Sequence, residues 1–246
     1  MSGVAVGRRP SYGVDAPLAL LGLVAGAVIA LAATIAALAA RWPFAWLPAL
    51  SAAYCAASAS AYAHTTLRGK FKVWEEELGA LRLGGAERVL DLGCGRGAVL
   101  NQVAALVPRG RATGIDLWRS VDQSGNAEEV TRRNAEAEGV SGQVELVTGD
   151  MRSLPFEDGS FDLVVSSLAV HNIPDAGGRE RAITGAYRVL APGGRLRIAD
   201  FRHGEDYAIV LRALGAEEVT VRDLGWRFWY GAPWFGTRMV SARRPA

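Results

Sequence analysis

Three glycines and two acids supply the most legible chemistry in this chain. Arg88 to Gly97 reads RVLDLGCGRG, a short apolar run closed by Gly93, Gly95 and Gly97. The run predicts a buried parallel strand, and Ala98 to Val107 after it has helical periodicity. In a strand, glycine turn and helix, backbone N–H groups and a positive helix end approach a ligand closely. Asp91 sets a carboxylate beside the turn, and Asp116 closes the next apolar run, ATGID, at the spacing of a ribose-binding acid. These residues point to a nucleoside-containing cofactor. Gly93 to Ala98 also fits the dinucleotide pattern GxGxxG/A, which leaves a nicotinamide oxidoreductase open. Asp91 weighs against that reading, because a carboxylate there suits a cationic amino group and repels a pyrophosphate.

Further along stand GDM (149–151), SFDLVVSSLAVHNIPD (160–175) and LAPGGRLRIADF (190–201). With the glycine loop, in this order, they resemble the class I S-adenosylmethionine-dependent methyltransferases from about Lys70 onward. The resemblance implies a seven-stranded, mostly parallel Rossmann-like sheet whose last strand is antiparallel. It implies that Asp91, Gly93, Gly95 and Gly97 hold the methionine part of S-adenosylmethionine, that Asp116 holds the ribose, and that Asp150 with Met151 holds adenine. Cys94, Leu117 and Ser167 lie in the same turns and strand ends and complete the cofactor-binding set, with no metal. Trp118 has two readings, stacking on adenine or covering the sheet edge.

His171 follows the fourth strand, at the carboxyl end of the sheet, with Asn172 beside it. A histidine there could take a proton from an acceptor as the methyl group is transferred. Methyl transfer needs mainly alignment, so pocket lining is the competing role. Between the sixth and seventh strands, residues 224–236 hold Trp226, Phe228, Trp229, Tyr230, Trp234 and Phe235. A parallel sixth strand would bring this loop to the active-site side. There Trp229 and Tyr230 become candidate acceptor contacts, and Arg227 and Arg238 could meet lipid phosphates or simply face solvent. His203 could also face the pocket.

Residues 65–246 carry 24 basic and 24 acidic residues, a balance without the basic footprint of a nucleic-acid binder. Two cysteines exclude a disulfide framework and have no metal-ligand spacing. The first 64 residues differ in kind, with only Arg8, Arg9, Arg41 and Asp15 charged. Leu18–Ala40 and Trp42–Ala63 are long uncharged runs, the second weakened by Pro43 and Pro48. A two-helix membrane hairpin (about 18–40 and 43–63) accounts for both, with interfacial Trp42 and Trp46 at the turn. Small-residue spacings, Gly22–Gly26 and Ala52–Ala56–Ser60, would let the helices approach. Arg8 and Arg9 at one end, and Arg68, Lys70 and Lys72 at the other, predict a multi-pass inner-membrane protein whose catalytic domain is cytoplasmic.

The expected layout is therefore an anchor over 1–64, its first 17 residues loosely ordered, and a methyltransferase domain over 65–246. An amphipathic linking helix is expected over Phe71–Leu83, and an Asn126 cap, with Glu129, on the helix before Gly139. A helix is expected over Ala182–Leu190, a turn at Pro192–Gly194 and a strand at Arg195–Asp200. The expected acceptor is a small or lipophilic molecule; a scaffold that binds cofactor without turnover is the non-enzymatic alternative.

Overall fold

The structure is a computed structural model and describes residues 10–119 and 125–246. Arg8, Arg9 and the 120–124 part of the loop after Asp116 lie outside the described residues.

Seven strands form one sheet in the order β3-β2-β1-β4-β5-β7-β6. They are β1 (Arg88–Leu92), β2 (Arg111–Asp116), β3 (Val144–Thr148), β4 (Phe161–Ser167), β5 (Leu190–Asp200), β6 (Glu217–Asp223) and β7 (Arg238–Arg243). β1 to β5 pair in parallel, whereas β7 runs antiparallel to both β5 and β6. β6 therefore points the same way as β1 to β5, and its carboxyl end joins theirs. Side chains alternate across the sheet. Val89 and Leu163 pack in a cluster with Trp74, Leu78 and Val103, and Leu90 and Val164 pack with Ile183, Tyr207 and Leu211 on the opposite face. The helices that supply these residues are α3 (Lys70–Ala80), α4 (Ala98–Leu106) and α5 (Glu128–Ala137) on the first face. On the second they are α6 (Ala176–Arg188) and α7 (Gly204–Ala213).

The apolar runs form α1 (Pro17–Ala39) and α2 (Trp46–His64), packed as a hairpin in which Cys55 Sγ lies against Gly26. Pro48 is tolerated because it falls in the first turn of α2, where its missing N–H has no helical partner. Gly22, by contrast, faces nothing within 4 Å. Among the described residues α1 alone is long and apolar enough to cross a membrane; α2, diluted by Ala and Ser, is not. The linking helix is not a separate element. α2 runs through one π turn, Thr65–Gly69, directly into α3. Gly69 is obligatory there, since a Cβ would lie 1.9 Å from the Arg227 carbonyl oxygen.

Other expectations need correction. Residues 10–15 are strapped onto the domain: Ser11 N–H donates to Asn134 Oδ1 (2.9 Å), and the Tyr12 ring meets Phe71 at 5.2 Å. The α5 cap is Ala127, without a side-chain bond, because Asn126 Nδ2 is turned to Asp116 Oδ1 (3.2 Å). α6 begins six residues before Ala182, where Asp175 accepts from Gly178 N–H at 2.6 Å and caps it. The Pro192–Gly194 turn is absorbed into β5 as an irregularity against β4, and Gly193 N–H is satisfied by the Arg244 carbonyl.

Asp15, at the foot of α1, joins hairpin and domain. Its carboxylate accepts from Lys70 Nζ (2.7 and 2.8 Å), Thr66 Oγ1 (3.0 Å) and Tyr230 Oη (2.9 Å). Tyr62 Oη donates to its backbone carbonyl (2.8 Å). The Lys70 and Asp15 side chains are only 6% and 18% exposed. Asp15→Asn would leave a buried ammonium short of its counter-charge. The expected loss is about 3 kcal/mol, seen as a lower Tm of the detergent-solubilised chain, with Asp15→Glu less affected.

Candidate active site

All six strands of common direction end on one side of the sheet, and a cavity of about 1000 Å³ opens there. Its floor is the glycine loop. Gly93 has φ +69° and packs so closely that a Cβ would sit 2.3 Å from Ala169 Cβ, so only glycine fits. Gly93 N–H donates to the Ile115 carbonyl (2.8 Å), and Gly95 N–H to Asp116 Oδ2 (2.8 Å). Asp116 Oδ1 accepts from Trp118 N–H (2.6 Å) and Asn126 Nδ2. Asp116 thus braces the loop from the end of β2, while Oδ2, which accepts one bond, retains a lone pair for a hydroxyl donor.

Asp91 is the unusual group. It is 1% exposed, and its Oδ1 has no hydrogen-bond partner among the described residues. Burial first, and then the neighbouring Asp116 charge, push its carboxyl up to about 8. A carboxyl oxygen enclosed without a donor among the described residues, on the wall of a cavity, is a complement to a ligand cation. The methionine amino group of S-adenosylmethionine fits that vacancy of charge, whereas a pyrophosphate would be repelled. Burial and the two acids also push the Cys94 thiol up, so it stays a protonated, packed thiol.

Leu117, Asp150, Met151 and Ser167 line the same cavity, as do His171, Asn172 and Tyr230. Asp150 is gripped by its neighbour Arg152 (2.5–3.0 Å), whose guanidinium holds the carboxyl below its usual range. Gly97, Trp118 and Trp229 are not on the wall. Gly97 caps α4 with φ +82°, and Trp118 covers the sheet edge, its Nε1 donating to Thr148 Oγ1 at 2.8 Å. Trp229 stands next to the wall residue Tyr230, and its carbonyl accepts from Thr65 Oγ1. Arg227 and Arg238 are taken by Glu76 and Glu205, and His203 pairs with Asp206 beside a smaller cavity.

His171 has a partner that the sequence reading did not name. Its Nδ1 lies 2.7 Å from Asp200 Oδ1, off the line of a hydrogen bond, and Asp200 is fully enclosed. Asp200 Oδ2 also accepts the His171 backbone N–H (3.0 Å) and the Tyr207 hydroxyl (3.3 Å). The signal was available, since Asp200 closes the apolar strand LRIAD as Asp91 and Asp116 close theirs. The hairpin's share of the wall, including Asp15, Leu23, Ser58 and Tyr62, carried no comparable signal.

Residues 89–194 match a family model described as "Methyltransferase domain". Over 137 residues the chain is 34% identical to the "Ubiquinone/menaquinone biosynthesis C-methyltransferase UbiE" of Dinoroseobacter shibae, covering 54% of this chain and 50% of that one. It is 37% identical over 115 residues to the "Demethylmenaquinone methyltransferase" of Thermus thermophilus, covering 47% of each. The chain thus spans about half the length of the curated relatives it matches. Among solved structures, a SAM-dependent methyltransferase from Aquifex aeolicus superposes with a TM-score of 0.52 at 19% identity, over 69% of this chain and 88% of that one. The [4+2]-cyclase SpnF superposes with a TM-score of 0.57 at 22% identity, over 70% and 82%. The fold is shared by different chemistries, so the site must carry the functional argument. Sheet and glycine loop, with the match over residues 89–194, make this domain similar to the methyltransferases.

Asp91 gives this site a pH signature. The folded chain keeps the Asp91 proton up to about pH 8, whereas the unfolded chain loses it near 4. Stability from this group is therefore full below pH 4 and is lost as the pH rises to 8, so Asp91→Asn should raise the ligand-free Tm more at pH 9 than at pH 4. Binding of S-adenosylhomocysteine, whose amino group calls for the ionised carboxylate, should release a proton below pH 8. Calorimetry should then show affinity rising by up to about tenfold per pH unit from 6 to 8, a dependence absent in Asp91→Asn.

Proposed function

We propose that this protein is a membrane-anchored methyltransferase that uses S-adenosylmethionine to methylate a lipophilic acceptor. The Asp91 Oδ1, buried without a partner among the described residues above the glycine loop, is the observation that carries the cofactor assignment. Asp91 and the loop Gly93, Cys94 and Gly95 would hold the methionine part, Asp116 and Leu117 the ribose, and Asp150 with Met151 the adenine. Ser167, held by Trp74 Nε1 at 3.0 Å, closes the floor. When bound, S-adenosylmethionine supplies a methyl group on a sulfonium, open to capture by a nucleophile.

His171 is the group to take the acceptor proton. Asp200 faces Nδ1, which leaves Nε2 for the acceptor. Its Nε2 would draw a proton from a hydroxyl of the acceptor and so raise electron density on the atom to be methylated. Asn172 and Tyr230 would orient that acceptor, with Trp229 behind them. The names of the relatives favour a quinol as acceptor, and the enclosed, aromatic-lined wall is compatible with one.

The hairpin supports the membrane part of the reading. None of the 23 residues of α1 is buried, and at 1.5 Å per residue it is about 34 Å long, enough for a hydrocarbon core of about 30 Å. Trp42, Phe44 and Trp46 are half-exposed at the hairpin tip, as interfacial anchors would be. With α2, too weakly apolar to cross by itself, returning packed against α1, residues 1–64 would be the anchor, residues 65–246 would face the cytoplasm and the chain would be multi-pass in the inner membrane. Apolar exposure on this scale needs lipid or a partner to cover it.

Full-length chain in nanodiscs should bind S-adenosylhomocysteine but not NADH, and should move a labelled methyl group from S-adenosylmethionine to demethylmenaquinol. Asp116→Ala should abolish binding. His171→Ala should lower kcat by about 10²-fold, with the affinity for S-adenosylhomocysteine unchanged. NADH binding without S-adenosylhomocysteine binding would restore the oxidoreductase reading, and binding of S-adenosylhomocysteine without any transfer would favour the scaffold.

A further inference from the structure

The cavity is larger than the cofactor floor, and the excess lies against the hairpin. Its outer lobe is walled by Ala19 and Leu23 of α1, Tyr54 and Ser58 of α2, and Ala232 and Phe235 of the loop before β7. Ala19 and Leu23, like Tyr54 and Ser58, stand four residues apart, so the lobe follows each helix for about one turn, roughly 6 Å, away from the sheet. No acid or base stands among them. The charged pair at its inner end, Asp15 with Lys70, is mutually neutralised. Tyr54 and Phe235 are 49% and 43% exposed while also lining the lobe, so it reaches the surface between α2 and the loop. The surface it reaches is apolar, since Trp234 stacks beside Tyr54 at 6.4 Å and Leu50 and Leu21 are exposed nearby along the helices.

From this continuity we infer that the outer lobe is a hydrocarbon-chain site, open sideways to the bilayer, that seats the tail of the acceptor while its reactive head lies at His171. The inference rests on the methyltransferase reading for the head and on the geometry of the lobe for the tail. A charged ligand would have no counter-group in the lobe, and a purely water-soluble acceptor would have no use for it. Gly231, with φ +96°, lies where the walls come together: a Cβ there would be 3.5 Å from Leu23 Cδ1 and the Ser58 carbonyl. The anchor is thereby part of the acceptor site as well as its tether.

The test uses the full chain in phosphatidylcholine vesicles doped with a phosphatidylcholine that carries a diazirine at the end of one acyl chain. After illumination, peptides bearing Leu23, Tyr54, Ser58 and Ala232 should be labelled, together with the outward residues Ile29 and Ile35 of α1. In Ser58→Phe and Ala19→Phe, two independent fillings of the lobe, the lobe label should be lost while the outward label and the binding of S-adenosylhomocysteine persist. Label confined to the outward residues of the unsubstituted chain overturns the inference. So does lobe label that survives both fillings. Lobe label in a chain that fails to bind S-adenosylhomocysteine would keep the chain site and remove the methyltransferase reading, which separates the two.

Discussion

The Asp15 carboxylate is the point on which the architecture turns. A helix as apolar as α1 has no intrinsic reason to sit at one place on a polar domain, because its own side chains offer only non-directional contacts. Asp15 provides direction by gathering Lys70, Thr66 and Tyr230 around two oxygens at the foot of the hairpin. Buried ion pairs add little net stability, but they penalise every arrangement that leaves one charge alone. Here that penalty fixes the hairpin against both α3 and the aromatic loop, and so shapes one wall of the cavity.

A second buried acid does the opposite job. Asp91 is enclosed with an oxygen that none of the described residues satisfies, and burial has pushed its carboxyl up to about 8. Asp15 is satisfied and structural, whereas Asp91 is left for a ligand. The cavity between them has polar chemistry at the strand ends and apolar walls toward the hairpin. That gradient is the physical basis for holding a charged cofactor and a lipophilic acceptor in the same enclosure.

His171 and Asp200 sit on the boundary between those regions. Asp200 accepts from three directions, so its position is over-determined and the imidazole beside it is held in turn. The aromatic loop contributes less by chemistry than by bulk. Phe228 is fully buried, Tyr230 reaches Asp15, and Arg227 forks onto Glu76, which ties the loop to α3 on the hairpin side.

Sequence alone determined what is local. The strand–glycine–helix unit at Arg88–Leu106, the acids at the carboxyl ends of β1 and β2 and the two apolar runs were legible because each depends on residues adjacent in the chain. Boundaries that depend on distant partners were not. The π turn that fuses α2 to α3 answers to the Arg227 carbonyl, the Asn126 side chain to Asp116, and the path of β5 through Pro192–Gly194 to pairing with its neighbours. The partnership of Asp15 with Tyr230 spans 215 residues, and that of His171 with Asp200 spans 29. No periodicity records such separations. Tertiary structure decided them, because charges and hydrogen-bond donors removed from water must find partners wherever the fold brings them, and it was these partnerships that made the anchor a wall of the site.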